Sequence, residues 1–316
     1  MRKNMWICLL GIVTLNTVFA QTREDRFARA RATIQVRDQD GILVPDARVG
    51  GWFLDTHHPQ EGRLVDGATD TNGCCVLEED TSGRLSCTVQ KDGYYLTRDD
   101  YKNWYVSWRP NDTHIENRRW QPWNPTLNVV LKKIKNPIPM YAKNLNLGVP
   151  EFKKQLGFDL EKGDWVAPYG KGVASDFVFY ATLDERGPRD SDYSLLLTFP
   201  NEKDGIQTFE GPVLLEGSQL WSGYMAPESG YLSEWKQFQK RRPETGRTNN
   251  VDRNRKYYFR IRTKLDEQGN IISAQYGKIY GDFLNFTYYL NPTSNDRNVE
   301  FDPEKNLLDP NDRFAP

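Results

Sequence analysis

The stretch ARATIQVRDQDGILVPDARVGGWFL, residues 30–54, decides the fold. Ile34 and Val36 alternate with polar neighbours, which is typical of a strand with one buried face. The polar residues at 38–41 form a turn signal, and a second apolar pattern begins after Pro45-Asp46. Two short strands separated by a turn are therefore predicted before residue 55.

The same pattern of short strands and turns continues downstream. TDTNG at 69–73 is a hairpin signal, because Asn-Gly readily adopts the positive φ angles of a tight turn. Predicted strands at 74–78 and 85–89 flank DTSG, and KDGYY closes the unit. Short strands with a turn signal about every ten residues predict an all-β sandwich.

Three quoted segments carry a family resemblance: VRDQDGILVPDARV (36–49), TDTNGCCVL (69–77) and SGRLSCTVQKDGYY (82–95). Together they resemble the carboxypeptidase-regulatory-like domain, a transthyretin-like β-sandwich. The match covers about residues 30–95, and TLNVVLKK (126–133) is the expected last strand, so the domain is assigned to 28–133. The resemblance implies a non-catalytic accessory or adhesion-type module.

A linker is predicted at 134–144, where two prolines interrupt any periodicity. The remainder, 145–316, is predicted to be a second β-rich domain, a β-sandwich or jelly-roll-like fold. Its apolar and aromatic segments read as strands, and DEQGN at 266–270 reads as a hairpin turn. EFKKQLG (151–157) and SEWKQFQ (233–239) are the two candidate short helices.

The first twenty residues are typical of an export signal. Arg2 and Lys3 precede a short apolar core, and Val18-Phe19-Ala20 matches the pattern before a cleavage site. We expect removal of residues 1–20 and a secreted, periplasmic or cell-surface location. The rest of the chain has no run of 18 apolar residues, so no membrane span is predicted.

Net charge argues against a nucleic-acid partner. Without Arg2 and Lys3 the 42 basic residues fall to 40, against 43 acidic residues. A slightly acidic chain has no overall attraction to a polyanion. The basic run at 240–256 is interpreted as a solvated loop or a contact for an anionic polysaccharide.

Three cysteines remain after the predicted cleavage: Cys74, Cys75 and Cys87. If residues 74–89 fold as one hairpin, Cys87 lies opposite Cys74 or Cys75, and a Cys75–Cys87 disulfide becomes a candidate. Buried or free thiols are the simpler interpretation. A zinc site is disfavoured, because no Cys-x-x-Cys is present and the nearest histidines are far upstream.

The insertion at 101–123 is the most suggestive stretch for function. A flat indole can stack on the apolar face of a sugar while nearby Arg and Asn meet its hydroxyls. Core packing is the favoured alternative, since tryptophan is mostly buried, and protein–protein contact is a further one. The candidate ligand-binding residues are Trp104, Trp108, Trp120 and Trp123.

Two further groups of residues are candidates for catalysis or metal binding. Asp164 and Asp176 flank a Pro/Gly loop and are the candidate pair for a carboxylate-dependent hydrolase. The oxygen-rich stretch near the end is a weak candidate for structural calcium, with ligands Asn295, Asp296, Asn298, Glu300 and Asp302. Intradiol dioxygenases use His-x-His to hold iron, and adjacent His57-His58 does not match.

The sequence thus favours an exported, non-catalytic binding or envelope-associated protein whose partner is a glycan or a surface protein. It leaves enzymatic activity open and favours its absence, with the carboxylate hydrolase as the alternative. No cofactor is predicted apart from the open question of structural calcium.

Overall fold

The computed structural model describes residues 27–54, 62–98, 105–108, 115–209 and 217–316. The described residues form strands, turns and irregular segments and contain no helix, so the predicted all-β class is confirmed. In this part of the chain no helix is long and apolar enough to cross a membrane.

Ten strands build the first body. They are β1 (Ala28–Asp38), β2 (Arg48–Phe53), β3 (Arg63–Ala68), β4 (Cys74–Thr81), β5 (Arg84–Gln90), β6 (Thr97–Arg98), β7 (Tyr105–Ser107), β8 (Ile115–Glu116), β9 (Arg119–Trp120) and β10 (Thr126–Leu131). One sheet has the order β10-β1-β9-β8, with β4 also on β1. The other has the order β3-β2-β5-β6, with β7 also on β5.

Alternation explains why these strands form a sandwich. Along β1 the buried positions include Ile34 and Val36, and along β2 they include Val49 and Phe53. These side chains belong to one apolar cluster that both sheets share. Each sheet hides one face on the other and leaves its second face to solvent.

Twelve strands build the second body. They are β11 (Ile138–Asn146), β12 (Gln155–Asp159), β13 (Asp164–Trp165), β14 (Phe177–Gly187), β15 (Asp190–Thr198), β16 (Gly205–Phe209), β17 (Glu234–Arg242), β18 (Gly246–Asn249), β19 (Lys256–Leu265), β20 (Ile271–Asp282), β21 (Asn285–Leu290) and β22 (Phe301–Asn306). The two sheets have the orders β16-β19-β20-β21-β11-β22 and β13-β12-β14-β15-β17-β18. Aromatic rings fill the space between them. Phe177 on β14 meets Phe259 on β19 with centroids 5.2 Å apart.

Two predictions about this half of the chain need correction. The linker is shorter than 134–144, because β11 begins at Ile138 and pairs with both β21 and β22. Met140 and Ala142 on β11 are buried, which fixes the segment in the sheet. The segments 151–157 and 233–239 are not helices. Their residues enter β12 and β17, where pairing with β14 and β15 satisfies the backbone.

The two bodies meet along residues 217–224. Lys132, which follows β10, is buried and donates from Nζ to the carbonyls of Leu220 and Ser222, both at 2.8 Å. Thr97 of β6 forms an isolated bridge with Ser218. The contact between the bodies is thus largely made of polar groups that are hydrogen-bonded and buried.

Candidate functional site

The outer face of the β3-β2-β5 sheet carries a hollow whose floor is a glycine. Gly50 on β2 lies opposite Asp66 on β3 and Thr88 on β5. Because Gly50 has no side chain, the outward row of β2 has a gap between Arg48 and Trp52. Gly50 sits there at an ordinary strand position, so the gap arises from missing atoms and involves no backbone distortion.

The hollow has a volume of about 230 Å³. That is below the roughly 300–1,000 Å³ typical of drug-sized ligand sites, so it suits a single small unit. Its lining residues are Arg48, Gly50, Trp52, Leu64, Asp66, Ser86, Thr88 and Gln90. One apolar wall and many polar groups are therefore brought together by three neighbouring strands.

Trp52 supplies the apolar wall of the hollow, and its ring packs against the backbone of Gly62. A Cβ added at Gly62 would lie 2.5 Å from Cε2 of the indole, so the backbone at Gly62 packs directly on the ring. Leu64, the cross-strand neighbour of Trp52, has 63% of its surface exposed beside it. Trp52 and Leu64 therefore form an apolar surface bordered by polar groups, on which the apolar face of a ligand can stack.

The polar rim contains both signs of charge. Arg48 Nη2 and Asp66 Oδ2 are 3.6 Å apart, and both side chains are largely exposed. An exposed pair of this kind is weak, so either group can turn to a ligand at little cost. Thr88 and Gln90 add a hydroxyl and an amide, which both donate and accept.

A second cavity of about 570 Å³ lies at the end of the same sandwich. Four arginines and one aspartate dominate its lining: Phe27, Ala28, Arg29, Arg63, Asp80, Asn117, Arg118 and Arg119. Asn117 and Arg118 have φ angles of 49° and 60° and form the tight turn between β8 and β9. That turn projects two guanidinium groups at one edge of the cavity.

Two of the four tryptophans that were candidates for ligand binding lie in the core of the first sandwich. Trp108 is 1% exposed and Trp120 is 6% exposed, and both belong to the core of the first sandwich. Their indole N–H groups donate to backbone carbonyls, at Pro122 (3.2 Å) and Thr81 (2.9 Å). The expectation that these two rings are exposed for stacking on a sugar is therefore corrected.

Of the other two tryptophans, Trp123 is half-buried, and the guanidinium of Arg119 lies 4.8 Å from its ring centroid. Trp104 lies outside the described residues, as do His57, His58 and His114. The insertion therefore supplies core packing and one partly exposed ring next to the arginine cavity.

The two carboxylates of the hydrolase hypothesis serve different parts of the structure. Asp176 is buried and pairs with Arg262, with distances of 2.7 and 3.0 Å to Nε and Nη2. Asp164 accepts from the backbone N–H groups of Trp165 and Lys171, both at 2.8 Å. Asp164 is thus engaged within its own loop and Asp176 with Arg262 of β19, and neither lines the two cavities above.

The five calcium candidates are likewise engaged by the protein. Asn295 and Asp296 accept from the backbone N–H groups of Ala274 and Asn298, and Asn298 accepts from the backbone N–H of Glu300. Glu300 accepts three hydrogen bonds, and Asp302 pairs with a nearby lysine. Among the described residues, no three His, Cys, Asp or Glu side chains are grouped so as to hold a metal ion.

None of the three cysteines in the described part of the chain, Cys74, Cys75 and Cys87, is in a disulfide. The candidate disulfide between Cys75 and Cys87 is not formed, because residues 74–89 do not form one hairpin. β4 pairs with β1 and β5 pairs with β2, so the chain crosses between the sheets near Gly83. Both thiols point into the core, and burial raises the pKa of the Cys75 thiol.

Sequence reasoning missed the hollow although a signal for it was present. GGWF at 50–53 places two glycines inside a strand pattern, and a glycine there marks a site where another group approaches closely. Gly51 faces the core, where an added Cβ would lie 2.5 Å from Leu77. Gly50 faces outward and makes room for a ligand. The arginine cavity had no comparable signal, since its residues come from four separate strands or turns.

No protein-family model matches the chain, and no curated protein matches it. Among solved structures, 3-chlorocatechol 1,2-dioxygenase of Rhodococcus opacus aligns with a TM-score of 0.24 and 15% identity, over 34% of this chain and 61% of that one. A variant catechol 1,2-dioxygenase of Acinetobacter radioresistens aligns with a TM-score of 0.26 and 14% identity, over 37% of this chain and 56% of that one. The chain spans less than two thirds of the length of either.

Proposed function

We propose that this chain is an exported, non-catalytic accessory protein that binds a carbohydrate on the first sandwich. The single supporting observation is the hollow above Gly50, where the Trp52 ring and a polar rim surround a space suited to one sugar unit. A pyranose has an apolar face for the ring and hydroxyls at its edge for Arg48, Asp66 and Thr88. This is the chemistry that a sugar requires.

The proposal keeps the binding role expected from the regulatory-like resemblance and moves the site from the insertion to the sheet face. Export is also part of the proposal. It is based on the sequence of residues 1–20, which lie outside the described part of the chain. The carboxylate hydrolase has no matching support, since Asp164 accepts hydrogen bonds within its own loop and Asp176 is paired with Arg262.

The test is a polysaccharide retention screen on the protein without residues 1–20, followed by calorimetric titration of any binder. We expect Trp52→Ala to weaken binding at least about tenfold, because an aromatic anchor contributes about 1–2 kcal/mol or more. Gly50→Ala should also weaken binding by placing a methyl group on the floor of the hollow.

Tyr180→Ala is the matched control, since Tyr180 is an exposed aromatic on a strand of the second body. It should bind as the unchanged protein does. Equal binding by Trp52→Ala and Gly50→Ala, with their fold verified by circular dichroism, would contradict the proposed site. Retention of no polysaccharide at all would contradict the function.

A further inference from the structure

A third cavity, which is lined by the indole of Trp221 and is called the Trp221 cavity, lies on the second body and has a volume of about 380 Å³. In the sheet register Tyr280 of β20 lies opposite Thr287 of β21, and Thr287 lies opposite Asn144 of β11. These three lining residues therefore form a row on one face of the sheet. Tyr288, next to Thr287 in the chain, packs in the core between the two sheets, so the row faces away from that core. The volume is within the roughly 300–1,000 Å³ that is typical of ligand sites.

One side of the Trp221 cavity is aromatic. Trp221 and Phe314 are half-buried there, so each keeps part of its ring surface open. Both pack against an apolar cluster that contains the buried rings of Tyr280 and Tyr289, and the centroids of Trp221 and Tyr280 are 5.1 Å apart. Tyr289 Oη donates to the carbonyl of Ala315 at 2.6 Å, which attaches the segment that carries Phe314. The aromatic surface is thus fixed in place by the protein itself.

The rest of the lining is polar. Asn144 and Asn285 are exposed, and Asn144 Nδ2 donates to Thr287 Oγ1 at 3.0 Å and to Asn285 Oδ1 at 3.5 Å. These side chains form one group of amides and a hydroxyl, which can both donate and accept. The exposed Arg253 adds a cationic donor, and none of the described residues that line the cavity is acidic.

This combination favours a sugar over other small ligands. A pyranose offers an apolar face to the Trp221 indole and hydroxyls at its edge to the amides of Asn144 and Asn285. A planar aromatic ligand would stack equally well, but it would displace water from the amides without replacing the hydrogen bonds of that water, which lowers affinity. A cationic ligand is disfavoured by Arg253.

We propose that the Trp221 cavity is a second carbohydrate site, so that one chain holds a polysaccharide at one place on each body. Both sites combine an indole with a polar rim, and they share no lining residue. The inference rests on the proposed function for the class of ligand. Two sites on one chain should bind a polymer about a hundredfold or more tighter than either site binds a short oligosaccharide, because the second contact is intramolecular.

The experiment measures binding of xylan, mannan, laminarin and amylose, and of the trisaccharide of each, to the protein without residues 1–20. Calorimetric titration of Trp52→Ala isolates the second site. This variant should still bind the trisaccharide of a polymer that the unchanged protein retains, and addition of Trp221→Ala should abolish that binding. Trp221→Ala alone should weaken polymer binding about tenfold or more, since an aromatic anchor is lost.

Asn144→Ala tests the same cavity without altering a packed ring. It should weaken polymer binding by about threefold or more, because hydrogen bonds to the sugar are lost. The matched control is Asn146→Ala, at the next exposed position on the same face of β11 and outside the cavity lining. It should bind polymers and trisaccharides as the unchanged protein does.

The possible failures are distinguishable. Loss of all trisaccharide binding in Trp52→Ala alone, or unchanged polymer binding in both Trp221→Ala and Asn144→Ala, would contradict the second site and leave the proposed function standing. Circular dichroism verifies that each variant is folded. Polymer binding that is lost in Trp221→Ala and unchanged in Trp52→Ala would contradict both the Gly50 site and the two-site inference. Retention of no polymer by the unchanged protein would contradict the proposed function and this inference together.

Discussion

At the scale of single residues, two lysines lie buried where the sandwiches meet. Lys132 donates to two backbone carbonyls, and Lys278 is fully buried with its Nζ 3.2 Å from Oγ of Ser222. Lys278 also lies 5.0 Å from the Tyr280 ring centroid and 4.9 Å from that of Tyr289. Burial lowers the pKa of Lys132 to about 8 and that of Lys278 well below its ordinary value.

The lowered pKa of Lys132 predicts that stability increases with pH. Between its folded pKa of about 8 and its ordinary value of 10.5 the unfolded chain holds more protons, so raising pH favours the folded state. From pH 7.5 to 9.5 we expect a gain of about 1–2 kcal/mol from this group. Above about pH 10 the tyrosines oppose it, because burial raises the pKa of several of them.

The measurement is urea unfolding across that range, compared with Lys132→Met. The variant should show a flatter pH profile, because the buried amine is gone. A profile as steep as that of the unchanged protein would contradict the assignment to Lys132.

At the scale of elements, three turns have the same construction. In Asp38–Gly41, Asp70–Gly73 and Asp266–Gly269 the aspartate carboxylate accepts from two backbone N–H groups ahead of it. Each ends on a glycine with φ between 67° and 81°. This Asp-x-x-Gly pattern is visible in the sequence, because aspartate and glycine are the residues that such turns require.

The same pattern predicted a hairpin at both 69–73 and 266–270, and the structure confirms only the second. Asp266–Gly269 joins the paired strands β19 and β20, whereas Asp70–Gly73 carries the chain from one sheet to the other. Local residues determine a turn, but the choice of partner strand depends on distant apolar side chains. For that reason the β class was predictable, whereas the placement of Cys75 and Cys87 on strands of different sheets was not.

The central strand β20 contains a glycine that allows no side chain. A Cβ at Gly277 would lie 2.2 Å from Phe259 Cζ and 2.3 Å from the carbonyl oxygen of Tyr289. We therefore expect Gly277→Ala to destabilise the fold by about 3 kcal/mol or more, because a backbone atom cannot yield as a side chain can.

The control is Gly187→Ala, at the end of β14, where no atom lies within 4 Å of an added Cβ. It should unfold within about 0.5 kcal/mol of the unchanged protein. Thermal and urea unfolding of the two variants provide the measurement. Equal stability of both would show that β20 is not packed as described.

At the scale of the whole molecule, Glu300 connects the two sandwiches. Its carboxylate accepts from Tyr95 Oη of the first body at 2.7 Å. It also accepts from the backbone N–H groups of Lys135 and Asn136 in the connecting segment, at 2.8 and 2.7 Å. Glu300 was a calcium candidate, and its oxygens instead hold the junction together.

Replacement of Glu300 by glutamine should loosen this junction. The amide places a donor where one of the three donors now points, and a buried donor without an acceptor costs about 1–3 kcal/mol. We expect differential scanning calorimetry to show one transition for the unchanged protein and two separated transitions for Glu300→Gln. Glu304→Gln, at an exposed position of β22, the strand that begins directly after Glu300, is the control.

An unsplit transition at an unchanged midpoint in Glu300→Gln would show that the bodies are coupled elsewhere.

The junction also explains a limit of sequence reasoning. Tyr95 and Glu300 are 205 positions apart, and no local pattern relates them. The hollow above Gly50 was not predicted for a different reason, because it depends on a side chain that is absent. The tryptophans of the insertion were the more visible candidates for ligand binding.

The lack of a disulfide among Cys74, Cys75 and Cys87 has a practical consequence. Cys75 and Cys87 are buried in the interior of the first sandwich, and Cys74 alone among the three is partly exposed to solvent. Folding of the described part of the chain requires no oxidation of these thiols, so the protein without residues 1–20 should be obtainable from a reducing cytoplasm without a disulfide isomerase. A maleimide dye should then label the native protein at Cys74, at the start of β4, which lines neither the Gly50 hollow nor the arginine cavity.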